Sequence, residues 1–205
     1  MIKNRHVVIR TDASPIIGLG HVKRCLALAT DLRGLFNSIT IIYCDMPEKI
    51  IQEGEKKGIK FEKLESDKWT EEVDLQVSKD YLSRYEEKPL LIVDHYQLSI
   101  KWETGMRSFV SGIIVIDDGG ERSHNCDIII DQNLCENADQ RYKGLVPDTC
   151  KRLIGNRYVM LSKEIIELKE KFTKSDDSSI GINDLDISDA KIFKDAVNAL
   201  ESLGY

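Results

Sequence analysis

The sequence predicts an α/β fold built on a Rossmann-like, mostly parallel sheet, and three observations carry that expectation. Short β-branched runs alternate with amphipathic stretches, as successive βαβ units require. The run Leu90–Val93 is apolar throughout, as a strand covered on both faces must be. Polar residues follow directly on the ends of several runs, where ligands of open α/β sheets bind. A chain of 205 residues that is 41% hydrophobic is long and apolar enough to bury a core.

The predicted strands are, in order, Val7–Arg10, Ser38–Tyr43, Ile59–Leu64, Leu90–Val93, Ile113–Ile116 and Ile128–Ile130. Between the first two, Val22, Cys25, Leu26, Ala29 and Leu32 recur at helical spacing until Gly34 stops the helix. Val73, Val77 and Tyr81 repeat that spacing ahead of Leu90 and predict a second helix with these three as its apolar positions. Ser162 to Phe172, with Ile165, Ile166 and Leu168, predicts a helix that closes a first domain at residues 1–173. The polar stretch from Lys174 to Ser179 then predicts a linker. Residues 174–205 are expected to be that linker and the truncated start of a second domain, with a helix from about Ser188 to Leu203.

Charge and composition narrow the partners. A formal net charge of −6 without a long Lys/Arg run argues against nucleic acid and anionic membranes. No apolar h-region follows Met1–His6 and no apolar stretch is long enough to span a bilayer, so a cytoplasmic location is expected. Five cysteines, an odd count without C-x-x-C spacing, suit reduced thiols better than a disulfide framework or a zinc site.

The stretch RTDASPIIGLGHVKRC, Arg10 to Cys25, carries the first chemistry. Gly18 and Gly20 stand where a strand gives way to a helix, so a ligand can approach the backbone and the helix N-terminus can face phosphate. A tight helix entry explains the same glycines. The dinucleotide fingerprint fails at Lys23, and Lys23-Arg24 is not the end of a P-loop. At the helix start His21 meets the positive end of the dipole, which disfavours the imidazolium and leaves a base; capping or packing is the alternative role. Asp94-His95-Tyr96, Asp117-Asp118 and Asp131-Gln132-Asn133 follow three strand ends. Each pair also reads as a helix cap or Asx turn. Asp94, Asp117 and Asp118 have no spacing that specifies a metal, and neither a metal nor a cofactor is expected.

Together these segments resemble a known family. Arg10-Thr11-Asp12-Ala13-Ser14, Gly18-x-Gly20-His21-x-x-Arg24-Cys25, Val93-Asp94-His95-Tyr96, Ile116-Asp117-Asp118, Cys126-Asp127-Ile128, Asp131-Gln132-Asn133-Leu134, Tyr142-x-Gly144-Leu145-Val146-Pro147 and Gly155 to Tyr158 keep the order seen in a set of UDP-sugar hydrolases. These are the UDP-2,4-diacetamido-2,4,6-trideoxy-β-L-altropyranose hydrolases of pseudaminic acid biosynthesis. The resemblance runs from about Val7 to about Leu161. It implies the N-terminal half of a glycosyltransferase-B fold, with the active site between two Rossmann-like domains, and metal-independent inverting hydrolysis at the anomeric carbon. It implies His21 as the base and Tyr96 facing the sugar. Arg10, Asp12, Gly18, Gly20, Arg24, Asp94, His95, Asp117, Asp118 and Asn133 are the implied substrate-binding residues. A UDP-sugar and a nucleotide-binding domain, absent here or carried by another chain, are the implied partners. The chain departs from the pattern at Ser162, where the family has an arginine, and at Asn183-Asp184 and Asp189, where it has a Gly-Gly pair and an Asn. An inactive or split module that needs a separate nucleotide-binding chain is the alternative function.

Overall fold

The computed structural model describes residues 6–138 and 140–162 and, singly, Ile165, Asp195 and Asn198. The chain runs through β1 (His6–Thr11), α1 (Gly20–Leu32), β2 (Ser38–Tyr43), α2 (Glu48–Lys56), β3 (Lys60–Lys63), α3 (Glu71–Leu82) and β4 (Leu90–Asp94). It continues through α4 (Ile100–Met106), β5 (Gly112–Ile116), β6 (Ile128–Asp131), β7 (Lys151–Ile154) and a 3-10 turn at Asn156–Tyr158. The seven strands form one sheet in the order β3-β2-β1-β4-β5-β6-β7, every neighbouring pair parallel. This is a Rossmann-like α/β fold. The chain builds outward in one direction from β1 to β3, then crosses back to add β4 on the other side of β1. The resulting crevice between the carboxyl ends of β1 and β4 is where such sheets bind ligands.

Strand alternation divides the core into two apolar layers. Val7, Ile9, Ile41 and Ile92 face Val22, Cys25, Leu26 and Ala29 of α1, while Val8, Leu91 and Val93 face Leu82, Trp102 and Met106 of α3 and α4. Register is set by such pairings as Ile9 with Ile41 on one side and Ile92 on the other. A slip of one residue would exchange the two layers.

The six predicted strands are all present, their ends displaced by at most one residue. A seventh, β7, has no signal in the sequence because it is an edge strand whose Lys151 and Arg152 are exposed and only Leu153 and Ile154 are buried. The helix α1 buries all five residues predicted for it. Of the apolar positions predicted for α3, Val77 and Tyr81 pack half-buried against the second layer, whereas Val73 is exposed and the fully buried positions are Asp74, Ser78 and Leu82. A carboxylate occupies the centre of that face because buried cationic and N–H partners await it, as described below. No helix among the described residues is long and apolar enough to cross a membrane. The helix expected to close the first domain, the linker after Lys174, the helix from Ser188 and the departures at Asn183-Asp184 and Asp189 lie outside the described residues, apart from the three single positions.

Candidate active site

The loop from β1 to α1 closes on itself before the helix starts. Ser14 accepts the Gly18 N–H on its carbonyl at 2.7 Å and the Ile17 N–H on its hydroxyl at 3.1 Å. Gly18 makes the turn at φ +85°, a conformation that disfavours side chains, and a Cβ added at Gly18 or Gly20 would meet nothing within 4 Å. Both glycines therefore border open space. No side chain caps α1 at Leu19, so the first N–H groups of the helix stay available.

The first turn of α1 delivers His21 and Arg24, three residues apart on one face, onto Asp94 at the end of β4. Pairing of Thr11 with Asp94 sets this carboxylate beside the strand that leads into the loop. His21 Nδ1 lies 2.5 Å from Asp94 Oδ1. Arg24 grips the same carboxylate as a fork, Nε to Oδ2 and Nη2 to Oδ1 both at 2.6 Å. Burial alone would raise the Asp94 carboxyl, but Arg24 and His21 outweigh it and hold the group below the ordinary carboxylate range. With Nδ1–H donated to Asp94, the lone pair of the neutral ring sits on Nε2. Among the described residues nothing hydrogen-bonds Nε2.

The Tyr96 ring stands edge-on to His21, centroids 4.5 Å apart at 82°. Its hydroxyl donates to Asp118 Oδ1 at 2.5 Å, and Arg24 Nη1 donates to Asp118 Oδ2 at 3.0 Å. Partial burial and the Asp118 carboxylate push the Tyr96 phenol up to about 12, so it remains a hydrogen-bond donor at neutral pH. A cavity of about 450 Å³ opens over this group, lined by Ser14, Ile16, Ile17, His21, Tyr96 and Gln97 with Asp94 and His95 beneath. Ser14, Ile17 and Gln97 belong to the site by position alone, since their residue types carry no catalytic signal. Because Tyr96 is 51% exposed, Tyr96→Phe should leave the melting temperature within a degree or two while lowering turnover, about the effect of losing one exposed hydrogen bond. Paired thermal melts and steady-state kinetics check this; a large fall in melting temperature with unchanged kinetics would assign the ring to packing.

Of the predicted binding residues, Arg10 and Asp12 do not line the cavity, whereas His95 does. Arg10 is wholly buried, its guanidinium spent on Asp12 at 2.7 and 2.8 Å and on Asp74. Asp12 also accepts the Cys44 N–H at 2.7 Å and His95 Nε2–H at 3.0 Å. His95 in turn accepts the Gln97 N–H on Nδ1 at 3.2 Å, which leaves neither ring nitrogen for a ligand. Through these contacts Arg10, Asp12 and His95 brace the ends of β1 and β4. Asp74 completes this brace, and no local pattern marks it, because its partners Arg10 and Trp102 lie 64 and 28 residues away.

Asp117 does not line the cavity either. It is buried and accepts Gly120 N–H at 3.0 Å, Tyr142 O–H at 2.8 Å and Arg122 at 2.7 Å. Asp118, one residue on, reaches the site through Tyr96 and Arg24. Asn133 is exposed and donates to the Asp118 carbonyl at 3.0 Å, joined there by Arg141 at 2.9 Å. Behind Asp117, His124 Nδ1 lies 2.7 Å from Glu103 and Nε2 lies 3.8 Å from Asp117. Burial by itself would lower this imidazole, but the carboxylates of Asp117 and Glu103 outweigh it and raise it to about 9 from 6.5. A group raised on folding contributes stability that is fully present below its unfolded value and is lost above its folded one. The unfolding free energy from urea melts should therefore fall as pH rises from 6.5 through 9, by roughly 1–3 kcal/mol, and His124→Asn should flatten that slope. An unchanged slope in the variant would move the titration to another group.

No protein-family model matches the chain. Over 193 residues it is 30% identical to the UDP-2,4-diacetamido-2,4,6-trideoxy-β-L-altropyranose hydrolase of Campylobacter jejuni, an alignment that covers 91% of this chain and 63% of that protein. The chain is thus similar over most of its length to a nucleotide-sugar hydrolase, of which it spans a little under two thirds.

Proposed function

We propose that the chain belongs to this UDP-sugar hydrolase family and forms the sugar-side, water-activating half of a glycosyltransferase-B enzyme of nonulosonic acid or surface-glycan biosynthesis. The observation that carries the reading is the Asp94–His21 pair, held through Nδ1 and lining a cavity at the sheet's switch point. The similarity to the Campylobacter enzyme supports it.

In this reading the sugar enters the cavity with its anomeric carbon facing His21. His21 Nε2 accepts a proton from water as the water oxygen bonds to that carbon, and the bond from the carbon to the UDP oxygen breaks on the opposite face with inversion. Asp94 stabilises the imidazolium that forms, and Arg24 keeps Asp94 ionised and aligned. Tyr96 and Asp118 wall the sugar. The uncapped start of α1, bordered by Gly18 and Gly20, offers N–H groups to the departing diphosphate.

The test is incubation of the chain, joined to a complete nucleotide-binding second domain, with the Campylobacter enzyme's nucleotide sugar in water enriched in heavy oxygen. Phosphorus NMR follows UDP and mass spectrometry locates the label. Label on the sugar's anomeric hydroxyl, with unlabelled UDP, is the expected result. Label in UDP would show phosphorus–oxygen cleavage, and no UDP above the uncatalysed rate would remove the hydrolase assignment from this chain.

A further inference from the structure

The rim of the sheet opposite the cavity holds a feature that the hydrolase reading does not use. Cys126 lies two residues before β6 and Cys150 one residue before β7, and their sulfurs are 3.6 Å apart in the same apolar layer. Both backbones are anchored where this contact occurs. Asp127 N–H donates to the Ile113 carbonyl, Lys151 N–H to the Asp127 carbonyl and Cys150 N–H to the Pro147 carbonyl, each at 2.8 Å. The other three thiols have no sulfur neighbour among the described residues: Cys25 faces Asp94, Cys44 faces Arg10 and Asp74, and Cys135 is half-buried.

We propose that Cys126 and Cys150 are a reversible dithiol–disulfide pair, oxidised by low-molecular-weight disulfides of the glutathione type. A disulfide needs its sulfurs about 2.05 Å apart, so closure asks for a shift of roughly 1.5 Å, within reach of side-chain rotation. The two cysteines have unequal roles. Cys126 is sealed and Cys150 reaches the surface with 8% of its area, so the oxidant meets Cys150 first. The two sulfurs share a hydrogen bond in which either thiol can donate, and their coupling lowers the Cys150 thiol and raises that of Cys126. Burial instead pushes Cys25 up, and Cys44 up to about 12.

The chemistry balances in two exchanges. Cys150 thiolate attacks one sulfur of the small disulfide, forming a mixed disulfide and expelling one thiolate, which takes a proton. Cys126 then loses its proton, its sulfur attacks the Cys150 sulfur, and the second small thiol leaves. Two protein thiols are oxidised by two electrons, and one small disulfide is reduced to two thiols. The cross-link ties together positions 24 residues apart and encloses β6 with Asn133, Arg141 and Tyr142, the supports of Asp117 and Asp118.

The experiment equilibrates the native chain in buffers of oxidised and reduced glutathione, quenches with acid, alkylates the remaining thiols and maps peptides by mass spectrometry. A single intramolecular link between Cys126 and Cys150, reversed by dithiothreitol, is the expected product, with a melting temperature raised by roughly 5–10 °C. Cys126→Ser should accumulate a stable glutathione adduct at Cys150, and Cys150→Ser should leave Cys126 unmodified. Full alkylation of both thiols at the most oxidising ratio, or links distributed among the five cysteines, would overturn the proposal. So would a cross-link that lowers the melting temperature, since it would mean that the fold must distort to form it. Wild-type peptide mapping decides the matter even where a serine variant folds poorly.

Discussion

Replacing His21 by alanine should lower UDP release from the nucleotide sugar by about 10²–10⁴-fold while leaving the protein folded, the range expected for loss of a positioned general base. The geometry separates these two effects. His21 supplies one of the hydrogen bonds to Asp94, but the Arg24 fork remains with two contacts at 2.6 Å, so the buried carboxylate is not orphaned. The stability cost should therefore stay near that of an ordinary substitution, about 1 kcal/mol. Steady-state kinetics with a urea melt on the same preparation checks both halves. Retention of more than about a tenth of the wild-type rate would take the base away from His21, since the loss would then fall outside the range for such a group.

Replacing Asp74 by alanine should cost roughly 3–5 kcal/mol of folding stability, the largest loss expected from any single substitution here. Asp74 is wholly enclosed and receives Arg10, Trp69 Nε1–H and Trp102 Nε1–H, the last two at 3.0 Å, together with the Ser78 hydroxyl at 3.3 Å. Burial alone would raise its carboxyl, and Arg10 outweighs that to hold it ionised. Removing it leaves Arg10 with Asp12 as its only carboxylate and leaves the buried Trp102 and half-buried Trp69 indole N–H groups without this acceptor. Against a typical total of about 5–15 kcal/mol this loss unfolds a sizeable share of the molecules. Urea denaturation should show a lower midpoint with an unchanged slope. A cost under about 1 kcal/mol would mean that Asp12 and solvent can replace the missing carboxylate. Because Asp12 also holds His95, the substitution should also loosen the end of β4, and a fall in turnover beyond the loss of folded protein would show that the brace positions Asp94.

Much of this site is legible one segment at a time. The order of a strand, a glycine-bearing loop and a helix opening on His21 can be read from Val7 to Leu32, and the placement of Asp94-His95-Tyr96 after an apolar run puts them on the same rim. What each polar residue does there is not legible. Arg10 and Arg24 are equivalent in a sequence, both near a glycine loop and both expected at substrate. In the fold one is sealed against Asp12 and Asp74, while the other clamps Asp94 beside the cavity. Asp117 and Asp118 are adjacent, yet successive residues leaving a strand point opposite ways, so one turns inward to Tyr142 and the other outward to Tyr96. The exposure of Val73 and the burial of Asp74 on α3 escaped the apolar pattern for a related reason. Apolar periodicity locates the buried side of a helix only where burial is apolar, and there a carboxylate is what the core receives.

The sequence by itself determined the class of fold, six of the seven strands, the buried face of α1 and the rim on which the chemistry stands, because backbone preference and apolar periodicity act over a few residues. Tertiary structure alone decided that β4 crosses back beside β1, that β7 pairs at the edge, and which carboxylate meets which cation. Those choices depend on partners such as His21 and Asp94, or Arg24 and Asp118, that are 73 and 94 residues apart. Contacts of that range form only when the strands are packed in register, and nothing local to either partner records them.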